Sequence, residues 1–155
     1  MTQKTIIIKG GQGMQKEFPL KASSDITPGM LIQRDAGYYK PNAIAPDDTG
    51  ATIYPSKIFA LESPYSQVAV GAKAIDTQYD TDKETVIGYY ALPGDEIYAW
   101  LAAGENVAAD AVLESNGAGA LQAYTTAGGA VCRATEAVDN SATGAVAVRI
   151  KVEVL

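Results

Sequence analysis

Hydrophobic and polar positions alternate in twos along much of the chain. Near its end, Val146, Val148, Ile150, Val152 and Val154 fall on one face, and Ala147, Arg149, Lys151 and Glu153 on the other. Successive strand side chains point to opposite sides of a sheet, so the pattern predicts a strand over 145–155 with one dry and one wet face. Residues 96–101 repeat it, with Ile97, Ala99 and Leu101 alternating against Glu96, Tyr98 and Trp100. The β-branched run Thr5-Ile6-Ile7-Ile8-Lys9 predicts a short N-terminal strand. Further strands are expected over 30–34, 57–61, 86–91, 111–114 and 130–137. Turn signals separate them: Asp35-Ala36-Gly37, Asp47-Asp48-Thr49-Gly50, Pro93-Gly94-Asp95, Asn116-Gly117-Ala118-Gly119 and Gly128-Gly129. The best helix candidate, 66–73, is weakened by Val68, Val70 and Gly71. Many short, closely spaced strands predict an all-β fold, a small β-barrel or β-sandwich.

The pattern echoes itself. Ile26-Thr27-Pro28-Gly29-Met30-Leu31-Ile32 leads through a turn to Tyr38-Tyr39-Lys40-Pro41, and then to Ala60-Leu61-Glu62. Val107-Ala108-Ala109-Asp110-Ala111-Val112-Leu113 leads to Ala120-Leu121-Gln122-Ala123, and then to Ala134-Thr135-Glu136. Each unit reads as strand, tight turn, strand, loop, strand. Two such units are expected to pack as one barrel or sandwich, although hairpins built on common turn residues also resemble one another by chance.

Composition narrows the function classes. The chain has 155 residues, enough for one well-buried core. Its apolar runs are too short to cross a bilayer as a helix, and its start lacks a signal-peptide core, so synthesis in a cytoplasm is expected. The net charge of −6 is unevenly spread. Lys4, Lys9, Lys16 and Lys21 face Glu17 alone at the start, whereas 76–116 is strongly acidic and holds one base, Lys83. An acidic middle argues against a nucleic-acid face. The asymmetry suits contact with a surface of complementary charge, neighbouring copies included.

Candidate chemistry is sparse. There is no histidine, the commonest general base and metal ligand. Cys132, within Ala130-Val131-Cys132, reads as a small core residue rather than a nucleophile. Gly10, Gly11 and Gly13 do not follow phosphate-loop spacing, and a flexible hinge between an N-terminal arm (1–13) and a β-rich body (14–155) accounts for them better. Asp76, Asp80, Asp82 and Glu84 could offer oxygens to Ca²⁺, but the EF-hand pattern fails at Thr85 and Ala91, and a solvated acidic loop is the simpler reading. Asp95 and Glu96 are adjacent and would point to opposite faces of a strand. No catalytic residue, cofactor or metal site is therefore assigned, and a non-enzymatic protein is expected. Nine tyrosines and one tryptophan against two phenylalanines favour interfaces, where one end of the ring stays wet. Tyr98 and Trp100 are the candidate oligomer interface, the alternative being a sheet covered on both sides within the monomer.

The stretch Gly94-Asp95-Glu96-Ile97-Tyr98-Ala99-Trp100-Leu101-Ala102-Ala103-Gly104-Glu105-Asn106-Val107 resembles the central segment of tailed-bacteriophage head decoration proteins. Asp110-Ala111-Val112-Leu113-Glu114-Ser115-Asn116-Gly117-Ala118-Gly119-Ala120-Leu121 is similar to their following hairpin, and Ala134-Thr135-Glu136-Ala137-Val138-Asp139 leading into Arg149-Ile150-Lys151-Val152 to their ending. The chain departs from that pattern at Ala109-Asp110, where the family has Gly-Asp. The resemblance covers about the C-terminal 70 residues and, in the first half, Pro28-Gly29-Met30-Leu31. It implies a virion protein on the outer capsid surface, often a homotrimer, whose partner is the major capsid protein, with no nucleic acid or membrane involved. The residues 5–9 (Thr5, Ile6, Ile7, Ile8, Lys9) would then form a capsid-binding arm adding a strand to a coat subunit or a neighbouring copy, the alternative being an ordinary edge strand of the same barrel. Three other readings stay open: another virion β-domain, from tail or fibre, a carbohydrate-binding β-sandwich, and a small β-fold enzyme, which the missing histidine argues against.

Overall fold

The computed structural model describes residues 5–21, 24–44, 56–63, 75–79, 85–125 and 129–155. Among them there is no helix, and the fold is all-β. The helix candidate at 66–73 and the turn at 47–50 lie outside the described residues, as does Gly128.

Ten of the thirteen strands among the described residues fall into two groups of five. The first contains β2 (Met14–Pro19), β3 (Leu31–Asp35), β4 (Tyr38–Pro41), β5 (Ile58–Ala60) and β6 (Thr85–Tyr90), in the order β2-β6-β5-β3-β4. A single parallel bridge, Leu20↔Tyr39, brings its two ends together. The second contains β7 (Glu96–Leu101), β9 (Val112–Ser115), β10 (Leu121–Ala123), β11 (Ala130–Ala134) and β13 (Val148–Val154). Here β7 pairs with both β13 and β10, the latter in parallel through Leu121↔Leu101, and the barrel is closed. A two-stranded ribbon, β8 (Asn106–Val107) with β12 (Val138–Asp139), caps it. β1 (Ile7–Lys9) pairs antiparallel with β7.

The two rings share one topology, strand for strand, and the echo in the sequence is its trace. In each, the closing hydrogen bond comes from the residue after the bridging leucine: Lys21 N to Tyr39 O, 2.9 Å, and Ala102 N to Leu121 O, 2.8 Å. The turn before the second strand is tied to the fourth by matching pairs, Gly29 N to Ala60 O with Ala60 N to Met30 O, and Asp110 N to Ala134 O with Ala134 N to Ala111 O. The cores match as well. Leu20, Ile26, Ile32, Tyr39, Ile58, Ala60 and Val86 fill the first barrel. Their counterparts Leu101, Val107, Leu113, Leu121, Cys132, Ala134 and Ile150 are all buried in the second. The small β-barrel that the strand pattern predicts is present: the second unit closes through β7, β10 and β13, and the first is drawn round by the Leu20↔Tyr39 bridge. They join because β5 and β6 are buried on both faces. Phe59, Ile87 and Tyr89 point out of the first barrel into the core cluster of the second.

The C-terminal alternation holds: Ile150, Val152 and Val154 are buried and Lys151 is exposed. The strand starts later than expected, however, and Val146 is 72% exposed in the preceding loop.

Candidate functional site

Tyr98 and Trp100 lie on the outer face of β7, both half-buried, while Ile97, Ala99 and Leu101 point into the core. Their cover comes from the first barrel. The Pro28-Gly29 turn packs on β7 so closely that a Cβ on Gly29 would stand 2.7 Å from the Tyr98 carbonyl oxygen. Trp100 donates its backbone N–H to Gly29 O (3.2 Å) and its indole N–H to Pro28 O (2.9 Å). The Arg149 guanidinium stacks 4.2 Å above the indole ring. It donates to Pro28 O (3.0 and 2.9 Å) and Ile75 O (2.5 Å), and pairs with Asp76. Arg149, expected on the wet face, keeps only 5% of its side chain exposed. On its open side Trp100 borders an apolar cleft of about 230 Å³ with Met30, Ala118, Gly119, Ala120 and Ala147. The pair therefore sits at the junction of the two barrels.

The N-terminal residues are held more firmly than a detachable arm. Ile6 is fully buried in the second barrel's core cluster. Its carbonyl accepts from Tyr98 N (2.8 Å) and its N–H donates to Glu62 Oε2 (3.1 Å). Ile7 and Ile8 are half-buried, and Thr5 and Lys9 exposed. Lys9 Nζ bonds Glu96 at 2.7 Å.

The glycines that follow are hydrogen-bonded to the body through Gly11 N and Gly13 N. Asp95, buried at 4% exposure, accepts from Gly11 N (3.2 Å), Leu92 N (2.9 Å) and the Tyr89 hydroxyl (2.5 Å). Tyr89 in turn accepts from Gly13 N at 2.9 Å. Burial, reinforced by the bond to Asp95, pushes the Tyr89 phenol above its ordinary pKa. A Cβ on Gly10 would fall 1.9 Å from Asp95 Oδ1. Sequence reasoning took Asp95 for a turn residue. Its place after Pro93-Gly94 at the head of a strong strand was the only sign of more.

The remaining candidates resolve simply. Asp76 is spent on Arg149, and Asp80, Asp82 and Glu84 lie outside the described residues. Cys132 is completely buried, and burial pushes its thiol pKa far up. Asp35 is held below the ordinary carboxylate value by hydrogen bonds from Lys21 and Lys40.

No protein-family model matches the chain, and no curated protein sequence shows significant similarity to it.

Proposed function

We propose that this chain is a non-enzymatic head decoration protein that binds the outside of an assembled phage capsid and bridges neighbouring coat subunits, acting as a small homo-oligomer, a trimer by the resemblance. The observation that carries this reading is the stretch 94–121. The residues resembling decoration proteins are the ones that run from β7 through β8 and β9 to the first residue of β10. The resemblance thus covers one contiguous piece of barrel rather than scattered turns. Stabilisation then needs no chemistry, since a ligand that binds only the assembled shell favours it by mass action. β1 supports a contact route: among the described residues it is the terminal strand of its sheet, with one edge on β7. A coat segment can add to its other edge through backbone hydrogen bonds, with Thr5, Ile8 and Lys9 at the joint.

The experiment mixes purified protein with expanded, undecorated heads built from the coat protein of the same genome. Co-sedimentation at saturable stoichiometry and increased resistance of the heads to heat are expected. Heads that sediment without the protein refute the reading. Lys9→Glu, which reverses the charge at the exposed end of β1, should weaken binding about tenfold while leaving the circular dichroism spectrum unchanged.

A further inference from the structure

The repeated topology makes the two β-hairpin tips counterparts, yet their surroundings differ. In the second barrel the β9–β10 tip docks on the first barrel. Leu31 N donates to Gly119 O (2.8 Å), and Gly119 N donates to Asn42 O (3.1 Å). The fit is close: a Cβ on Gly119 would lie 2.6 Å from the Met30 methyl and 3.0 Å from the Pro41 Cβ. The counterpart of Gly119 in the first barrel is Gly37, at the β3–β4 tip. A Cβ there would meet nothing within 4 Å. Beside it, Tyr38 is 45% exposed, although it starts a strand and carries an aromatic ring.

The receiving surface is duplicated too. Met30, Leu31, Pro41 and Asn42, which hold Gly119, correspond in the second barrel to Ala111, Val112, Ala123 and Tyr124. The local hydrogen bonding is conserved between them, Asn42 N to Leu31 O at 2.9 Å matching Tyr124 N to Val112 O at 3.0 Å. Ala111, Val112 and Ala123 are half-buried, and Tyr124 is 44% exposed. Among the described residues, the chain therefore shows one tip whose Gly37 has open space where its counterpart is packed, and one counterpart surface bearing an exposed aromatic. It also shows, in its interior, how such a tip and such a surface fit.

We propose that the β3–β4 tip of one copy docks on Ala111, Val112, Ala123 and Tyr124 of a second copy, repeating between chains the contact that β9–β10 makes within the chain. Gly37 would take the place of Gly119, accepting from the neighbour's Val112 N–H and donating to its Tyr124 carbonyl. Charge favours the match. The tip is flanked by Arg34, Lys40 and Lys21 around Asp35, while the receiving side carries Asp110 beside Ala111 and Glu105, whose Oε2 accepts from Ala123 N at 2.9 Å. Residues 96–155 hold seven carboxylates against Arg133, Arg149 and Lys151. The contact is heterologous, each copy offering one tip and one surface, so copies join head to tail and close into a ring where the rotation allows. This self-association does not depend on the head-binding reading, and its test uses no heads.

Sedimentation velocity of the full chain should show a species larger than the 16.2 kDa monomer. Tyr38→Ala removes the tip's aromatic and Tyr124→Arg blocks the surface. Both sites are exposed, so each variant should keep the wild-type melting temperature while self-association weakens about thirtyfold or more, as for an interface hot spot. Mixing the two variants is the discriminating step. One sound tip and one sound surface remain, so the mixture should form a one-to-one dimer and nothing larger. A wild-type chain that stays monomeric up to about 100 μM overturns the proposal. So does a Tyr38→Ala chain that assembles as tightly as wild type, or a mixture that yields no dimer.

Discussion

Truncating Arg149 to alanine removes one buried guanidinium that joins three parts of the molecule: β13, the Pro28-Gly29 turn of the first barrel, and the segment at Ile75 and Asp76. The loss is worked from what each partner retains. Pro28 O still accepts the Trp100 indole N–H, so its two bonds from Arg149 are lost without leaving a bare acceptor. Ile75 O loses its bond from Arg149, and a hydrogen bond from a charged donor is worth about 1.5–3 kcal/mol. The stack on Trp100 adds about 0.5–2 kcal/mol. Asp76 is 74% exposed, so that ion pair is screened by water and adds little. The sum, which is not strictly additive, is a loss of about 2–4 kcal/mol, or roughly 5–12 °C in melting temperature for a chain of this size. Arg149→Lys should recover less than half of it, because an ammonium cannot reach both carbonyls or stack as a plane. Asp76→Asn should cost under about 0.5 kcal/mol. Urea melts followed by circular dichroism give the free energies. Fluorescence of Trp100, the sole tryptophan, reports whether the barrel junction loosens first. The reasoning fails if Arg149→Ala lies within about 0.5 kcal/mol of wild type, or if Asp76→Asn costs as much.

Four further outcomes are expected. Ala36 sits at φ 48° beside Gly37 at 89°, a two-residue hairpin turn suited to Asn-Gly, so Ala36→Asn should stabilise the protein by about 0.5–1 kcal/mol in urea melts. Ile150→Ala should cost about 2–5 kcal/mol and Lys151→Ala under about 0.5 kcal/mol; equal losses would reverse the facing of β13. Asp35, with its folded pKa depressed below the ordinary 3.8, contributes stability that is present above that value and lost as pH falls through the folded one. Its NMR titration midpoint should lie below 3.8 and rise toward it when Lys21 and Lys40 are both changed to Met. Cys132 should react with a thiol reagent only as fast as the protein unfolds, and prompt labelling of the native state would contradict its burial.

Strands with one dry face were legible because burial writes a period of two: β7 and β13 follow it residue by residue. Others left no such mark. β2 pairs along its whole length with β6, yet Met14, Gln15, Lys16 and Glu17 are all exposed, so neither face is apolar and its strand state comes from the partner. The internal repeat was visible at the turns, since Gly29 and Asp110 both need positive φ, 90° and 65°. The positive φ falls on Asp110, one of the residues that tolerate this region, and not on Ala109, so an alanine at 109 is accommodated. That each repeat closes into its own barrel was not visible. Closure rests on single bridges at Leu20 and Leu101, which no periodicity records. Arg149 misled for a related reason: the alternation placed it away from the core of its own sheet, and only the first barrel's turn buries it.

The N-terminal segment shows why glycine alone is an ambiguous signal. Gly10, Gly11 and Gly13 read as a hinge if glycine is taken for its freedom. Here Gly10 and Gly13 mark close approach, while Gly11 takes a positive φ of 86°. A Cβ on Gly13 would fall 2.2 Å from the Tyr90 carbonyl oxygen, and Gly10 faces the Asp95 carboxylate. At Gly10 and Gly13 a side chain would collide with Asp95 and with Tyr89 and Tyr90, and the N–H groups of Gly11 and Gly13 donate to Asp95 and Tyr89. Residues 5–9 are accordingly preorganised on β7 by Ile6 before any partner arrives. A free arm would have to surrender backbone entropy of about 1–2 kcal/mol per residue on binding. A docked edge strand has already done so in folding, leaving more of the contact energy for affinity. It follows that removing the segment perturbs the fold along with the contact. Substitutions at exposed Thr5 and Lys9 that spare Ile6 are the ones that can separate the two.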